Sequence, residues 1–224
     1  MHDYIVLIRR RPSPDIAAGF MRDLRESLQT FRTPLVFFHG DGVEAVSDGG
    51  FDWPESDPDV DWCVCRTSLE RRSASNGLPS SFRVATLVTF YQAVLCASRV
   101  DSLGLGGRSC CRREQRKRTQ GASNHLLLEI GFAPDEQRQR RETLEMALGA
   151  AALELDASVL FRDSGLAHLA GGAARGWAQI TDFGLLGMYA EAPARSSGAE
   201  IPVQTVNAAR AADLRAHAAT ILIL

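Results

Sequence analysis

The sequence predicts an α/β protein made of two tandem domains, each a mainly parallel sheet with helices on both faces. Three observations carry this. Short continuous apolar runs alternate with amphipathic helical stretches, the pattern of strands buried on both faces between crossover helices. The chain also repeats itself: "LVFFHGDGVEAV" (Leu35 to Val46) resembles "SVLFRDSGLAHL" (Ser158 to Leu169), with Gly42 matching Gly165, 123 residues on. Around that pair, Pro14-Asp15 recurs as Pro134-Asp135 at a separation of 120, and "ASRVDSL" (Ala97 to Leu103) as "AATILIL" (Ala218 to Leu224) at 121. Three matches in one order at nearly one separation read as duplication of a single domain.

In the first half "DYIVLI" is the opening strand, and Ser13-Pro14 supply an N-cap and an N1 proline to the helix that follows. From Pro14 to Phe31, Ile16, Phe20, Leu24 and Leu28 recur four apart on one helical face. "PLVFF" and "DWCVC" are the next strands, "SFRVATLVTFYQAVLCAS" reads as one late helix, and "RVDSL" closes the sheet. The second half gives strands at "HLLLEIG", "DASVLF", "LLGMYAE", "IPVQTV" and "TILIL", with helices at "PDEQRQRRETLEMALGAAALEL" and "AADLRAHA".

Between the halves, residues 104–124, "GLGGRSCCRREQRKRTQGASN", open on glycines, fill with charge and carry no hydrophobic period, so they read as a solvated linker. The domains are then 1–103 and 125–224. Residues 108–118 hold six of the 25 basic residues, and a contact from this segment to RNA or to an acidic partner is the functional alternative to a plain linker. The chain as a whole has a net charge of −2 and exerts no general pull on nucleic acid. Its apolar stretches are far shorter than the roughly 20 residues that span a bilayer, so no membrane association is expected. The start has no basic region ahead of its apolar run and no small-residue cleavage site, so it does not read as a secretion signal. Five irregularly spaced cysteines are not a disulfide framework, and a reducing cytoplasm is the expected compartment.

The chemistry centres on "DWCVCRTSLERR" (Asp61 to Arg72). In a parallel sheet, ligands and catalysis gather at the carboxyl ends of the strands. That rim collects Arg9 to Arg11, His39 to Gly42 and Cys65. Cys63 and Cys65 alternate with Val64 and face the same side of the sheet. Cys63 lies deeper, as core. Cys65 stands at the strand exit, where a thiol can reach solvent and where the next turn's N–H groups, with Arg66, Arg71 and Arg72, favour the thiolate. Two other readings stand beside this one. Both cysteines can simply be buried, as free cysteines often are. They can also be half of a zinc site, although a C-x-C pair lacks the usual spacer and only Cys110-Cys111 would complete four ligands. A cysteine-protease arrangement would need a positioned histidine, and His39 is the rim's one candidate. No G-x-G-x-x-G follows a strand and no Walker lysine motif is present, so neither a nucleotide nor any other cofactor is expected.

These residues resemble the DsrE/DsrF-like proteins, which include the TusD and TusC subunits of the sulfur-relay complex. The first half is similar to the DsrE/TusD type through "LVFFHGDGVEAV" and through "CVCRTSLERR", a strand-ending cysteine followed six and seven residues later by two arginines. The second half is similar to the DsrF/TusC type through Arg141-Glu142, "SVLFRDSGLAHLAGG", "DFGLLGMYAEA" and "LRAHAATILIL". The resemblance implies two flavodoxin- or Rossmann-like domains, with Cys65 as the persulfide-forming residue and Arg71 and Arg72 as its arginine pair. It implies a sulfurtransferase-type carrier that takes sulfur from a donor protein and passes it to an acceptor, for tRNA 2-thiouridine synthesis or intracellular sulfur oxidation. A DsrH/TusB-like third subunit, an oligomer, or a pseudo-dimer formed by the chain's own halves belongs to the same expectation. The chain departs from the family where a glycine common after the arginine pair is Ser73. The second half has no cysteine, and "YAEA" puts Glu191 or a neighbour where Cys65 would be, which makes that half a structural partner. The alternative to a carrier is a non-catalytic assembly module with a vestigial cysteine.

Overall fold

The computed structural model describes residues 2–12, 14–47, 59–72, 78–103, 124–133, 137–191 and 200–224. The chain divides into two compact units, Met1–Glu114 and Gln115–Leu224. Ser13, Ser73, Pro134-Asp135 and the expected linker with Cys110 and Cys111 lie outside the described residues.

Each unit is built on a five-stranded, all-parallel sheet. In the first unit β1 (Tyr4–Ile8), β2 (Pro34–Phe38), β3 (Asp61–Cys65), β4 (Phe82–Ala85) and β5 (Arg99–Leu103) lie in the order β4-β3-β2-β1-β5. In the second, β6 (Leu126–Ile130), β7 (Ala157–Phe161), β8 (Gly187–Glu191), β9 (Gln204–Val206) and β10 (Thr220–Ile223) lie in the order β10-β6-β7-β8-β9. Read from its first strand, each sheet has the same order. The duplication seen in the sequence is a duplication of topology.

The strand side chains sort by parity onto two covered faces. In the first unit Val6, Val36, Phe38, Trp62 and Val64 form one core with Met21, Leu24 and Leu28 of α1 (Pro14–Leu28). On the opposite face Phe37 meets Phe90 of α4 (Leu87–Cys96), ring centroids 4.9 Å apart. The second unit repeats this. Phe161 packs edge-on against Trp177 of α6 (Gly171–Asp182), which itself packs on α5 (Gln137–Ala152). Leu127 and Leu160 face Ala211 of α7 (Ala208–His217).

The matched glycines do the same job twice. Gly42 and Gly165 follow the second strand of their units and sit against the carbonyls of Ile8 and Ile130, so closely that a Cβ at either position would overlap the oxygen. Those carbonyls end the first strand and accept the amide N–H of His39 (2.9 Å) and Arg162 (3.0 Å). Only glycine lets the turn close onto that strand end.

Two elements differ from the expectation. Phe82–Ala85 is a strand, although the sequence runs it into the following helix. It is an edge strand with Arg83 and Val84 exposed, so it lacks the clean apolar period of its neighbours. Thr86 then caps α4, accepting the N–H of Thr89 at 3.4 Å. In the second unit α6 was not expected, because Gly171, Gly172 and Gly176 weaken its propensity. Burial of Ala173, Ala174, Trp177 and Ile180 along one face holds it in place.

Candidate functional site at the carboxyl rim of the first sheet

The parallel registers place the rim residues in order. Ile8 pairs with Phe38 and Phe38 with Val64, so Arg9, His39 and Cys65 follow as the next transverse row, and Cys65 pairs with Ala85. The sequence expectation that three loops share one rim is met. Alternation places Cys63 and Cys65 on the face opposite the Trp62 and Val64 core, the face that α4 covers.

Cys65 ends β3 and is the N-cap residue of α3 (Arg66–Arg71). Its solvent access differs from the expectation: Cys65 is only 1 % exposed. The strand exit was expected to leave the thiol open, and the fold buries it instead.

Cys63 is core, as expected, and its thiol donates to Asp61 Oδ1 at 3.3 Å. Burial, followed by the Asp61 charge, pushes the Cys63 thiol up to about 12. Burial alone would raise the Asp61 carboxyl. Its hydrogen bonds from Arg83 (3.2 and 2.6 Å) and Cys63, with His2 nearby, hold it below the usual carboxylate range.

The two arginines of "ERR" separate. Arg71 and Arg66 are exposed. The Arg72 side chain is 3 % exposed and reaches back to the turn after β2, pairing with Asp41 (2.6 Å) and Glu44 (3.3 Å) and donating to the Ser68 carbonyl (3.3 Å). Ser68 Oγ accepts the Gly40 N–H at 3.0 Å. Together these contacts clamp α3 onto residues 40–44. The Arg72 guanidinium pairs with two carboxylates, so Arg72 positions α3.

His39 is 1 % exposed, and its Nδ1 has no hydrogen-bond partner among the described residues. Burial, followed by the charges of Arg9, Arg72 and Arg71, holds its pKa well below the ordinary histidine value. The imidazole is neutral at physiological pH, and His39 stands on the rim where the sequence places it.

Sequence reasoning missed how the second unit fills the same rim. Phe161 pairs with Ala190, so Arg162 and Glu191 stand at the positions of His39 and Cys65. Glu191 accepts from Arg215 at 2.7 Å, Arg215 also reaches Glu129 at 2.8 Å, and Arg162 pairs with Glu129 and Asp163. Where the first unit has a thiol, the second has a charge network. Paired charged residues widely separated in sequence leave no local signal.

The second unit also aligns a serine, a histidine and an acid at its amino edge. His125 bridges Asp156 Oδ1 and Ser158 Oγ, both at 2.8 Å. Hydrolytic nucleophiles use that connectivity, but here Ser158 is buried and Asp156 exposed. In the first unit Asp3 and Thr33 join the same two strand starts. The trio fastens β6 to β7.

Among the described residues, no three histidine, cysteine or acidic side chains gather in a way that could hold a metal, and no helix is long and apolar enough to cross a membrane. No protein-family model matches the chain, and no curated protein matches it significantly.

Proposed function

We propose that the chain is a DsrE/DsrF-like sulfur carrier whose working residue is Cys65. A donor persulfide, R–S–S⁻, meets the Cys65 thiolate. The outer sulfur bonds to Cys65, the donor S–S bond breaks, and R–S⁻ leaves. The product is Cys65–S–S⁻, and nothing is oxidised or reduced overall. Attack by an acceptor thiolate repeats the step and returns Cys65 to its thiolate form. Donor and acceptor are proteins of a cytoplasmic sulfur relay serving tRNA 2-thiouridine synthesis or sulfur oxidation. A DsrH/TusB-like subunit or a second copy completes the assembly, and the basic segment at 108–118 is a weak candidate for RNA contact.

The observation that carries this reading is the position of Cys65. It ends a central parallel strand, opens a helix, and stands in one row with Arg9 and His39. A persulfide hidden from solvent is protected from stray thiols, and loading then requires Cys65 to become accessible when the donor docks.

The burial of Cys65 favours a second reading, a non-catalytic assembly module that tolerates a closed thiol. One measurement separates the two. The full chain is incubated with a persulfide donor and each cysteine is read by mass spectrometry. A gain of one sulfur at Cys65 supports the carrier. An unmodified Cys65, with sulfur only at Cys96 or the linker cysteines, supports the module.

A further inference from the structure

The last crossover helix of each unit offers a comparison that the sequence repeat makes exact in position. Both α4 and α7 are ten residues long and start from equivalent caps, Thr86 and Asn207, each accepting the N–H three residues on. Both cover the same face of their sheets. Phe90 packs on Phe37 in the first unit, and at the same places the second has Ala211 with Leu160. The inner sides therefore do one job.

The outer sides differ. On α7 the exposed positions Ala209, Asp213, Ala216 and His217 are small or charged, and Arg210 beside them is exposed too. At the corresponding positions α4 exposes Val88, Gln92, Leu95 and Cys96. Val88 is 44 % and Leu95 37 % exposed. The spacing i, i+4, i+7, i+8 gathers these four side chains into one stripe, opposite the buried Phe90, Tyr91, Ala93 and Val94. The sequence of α4, "LVTFYQAVLC", holds no charged residue, whereas every other described helix holds at least one. One copy of the duplicated helix has a face made for water, and the other has a face made to be covered.

We propose that this face binds a second copy of the chain, α4 against α4, antiparallel about a two-fold axis with Gln92 at its centre. Charge selects this occupant. A two-fold contact sets each side chain near the axis against its own copy, so any charge there would meet a like charge. The absence of charge from α4 is what such a contact requires. The basic segment at 108–118, by contrast, would find no carboxylate on the stripe. The Gln92 amide carries both donors and an acceptor, so two copies of it can pair. Val88, four residues before the centre, then meets Leu95 and Cys96 of the second copy, three and four residues after it. A ten-residue helix is about 15 Å long, and its stripe is smaller than the roughly 800 Å² per partner of a standard stable interface. The dimer is accordingly weak and concentration-dependent. This inference does not rest on the carrier reading, and its test involves no sulfur transfer.

The test is analytical ultracentrifugation of the full chain, in reductant, from low micromolar to several hundred micromolar. A monomer–dimer equilibrium is expected. Leu95→Asp should raise its Kd at least about tenfold, since each dimer receives two buried charges. Ala209→Asp, the equivalent place on α7, should leave Kd unchanged. Cross-linking then reads the register. With Cys96, Cys110 and Cys111 replaced by serine, Gln92→Cys should form an interchain disulfide on mild oxidation, because residues on the axis come within disulfide reach. The chain that keeps Gln92 and Cys96 should form none, because the two copies of Cys96 would lie about 12 Å apart along antiparallel helices. A chain that stays monomeric throughout the range overturns the proposal and leaves the stripe to a different partner. A dimer that folded Leu95→Asp does not weaken, or one cross-linked through Cys96 and not by Gln92→Cys, overturns it as well. If Leu95→Asp does not fold, the Gln92→Cys cross-link decides alone.

Discussion

Cys65 and Glu191 occupy one position in two copies of the same sheet. Each ends the third strand of its unit and pairs across to the fourth, Cys65 with Ala85 and Glu191 with Val206. Glu191 is tied to Arg215, whereas the Cys65 neighbourhood holds a buried, neutral histidine. The duplicated fold therefore holds two different groups at one address, a buried thiol in the first unit and a paired carboxylate in the second.

The described cysteines should react in an order set by burial and charge. Exposed Cys96 should alkylate first in the native protein, with Cys65 behind it. Cys63 should stay silent, because a thiol pushed up to about 12 is thiolate in only about one molecule in ten thousand at pH 8. Time-resolved mass spectrometry of peptide labelling checks this. Labelling of Cys63 ahead of Cys65 would contradict it.

Gly42→Ala and Gly165→Ala should each destabilise the protein by at least about 2 kcal/mol. The added methyl meets a strand-end carbonyl, which is backbone and cannot swing aside. Urea unfolding followed by circular dichroism measures the loss. An effect below about 0.5 kcal/mol, the range of ordinary surface substitutions, would show that the turns can relax.

Neighbouring arginines should behave oppositely. Arg72→Ala leaves Asp41 and Glu44 without the guanidinium that joins them to α3, a loss of about 1–2 kcal/mol because the stranded carboxylates keep partial access to solvent. Arg72→Lys should recover little, since an ammonium cannot reproduce the forked contact. Arg71→Ala, at an exposed site, should cost less than about 0.5 kcal/mol. Thermal melts of the three variants decide the matter, and equal losses at both positions would refute the assignment.

His39 should make the fold sensitive to acid. Its folded-state pKa lies below the unfolded value because burial and the charges of Arg9, Arg72 and Arg71 disfavour the imidazolium. The unfolded chain therefore binds a proton first as the pH falls. The contribution is complete above about pH 6.5 and is lost progressively below it. His39→Gln should flatten the stability curve between pH 6.5 and the acid limb, as measured by urea midpoints across pH. A wild-type slope that survives the substitution would place the titration elsewhere.

His125→Ala should weaken the protein by about 1–2 kcal/mol, the cost of leaving buried Ser158 short of a partner. Fluorophosphonate probes should leave Ser158 unlabelled in the native protein. Labelling there would turn a fastening into a catalytic triad.

Much of the fold is written locally. Continuous apolar runs separated by caps and glycines mark nine of the ten strands among the described residues, and Gly42 with Gly165 marks the repeat, because close backbone contact leaves glycine no substitute. β4 is hidden because an exposed edge strand shows no two-residue period before its cap at Thr86. α6 is hidden because its glycines obscure a helix that packing stabilises.

The sequence by itself determined the tandem α/β architecture and the place of Cys65 at the end of a strand on the carboxyl rim. Local period and spacing suffice for both. Only the tertiary structure decided what surrounds that sulfur. The burial of Cys65, the commitment of Arg72 to Asp41 and Glu44, the neutrality of His39 and the charge network at Glu191 all depend on groups brought together from distant parts of the chain. Solvation and charge act through space, and a residue's neighbours in sequence do not reveal which distant groups will desolvate it or share its field.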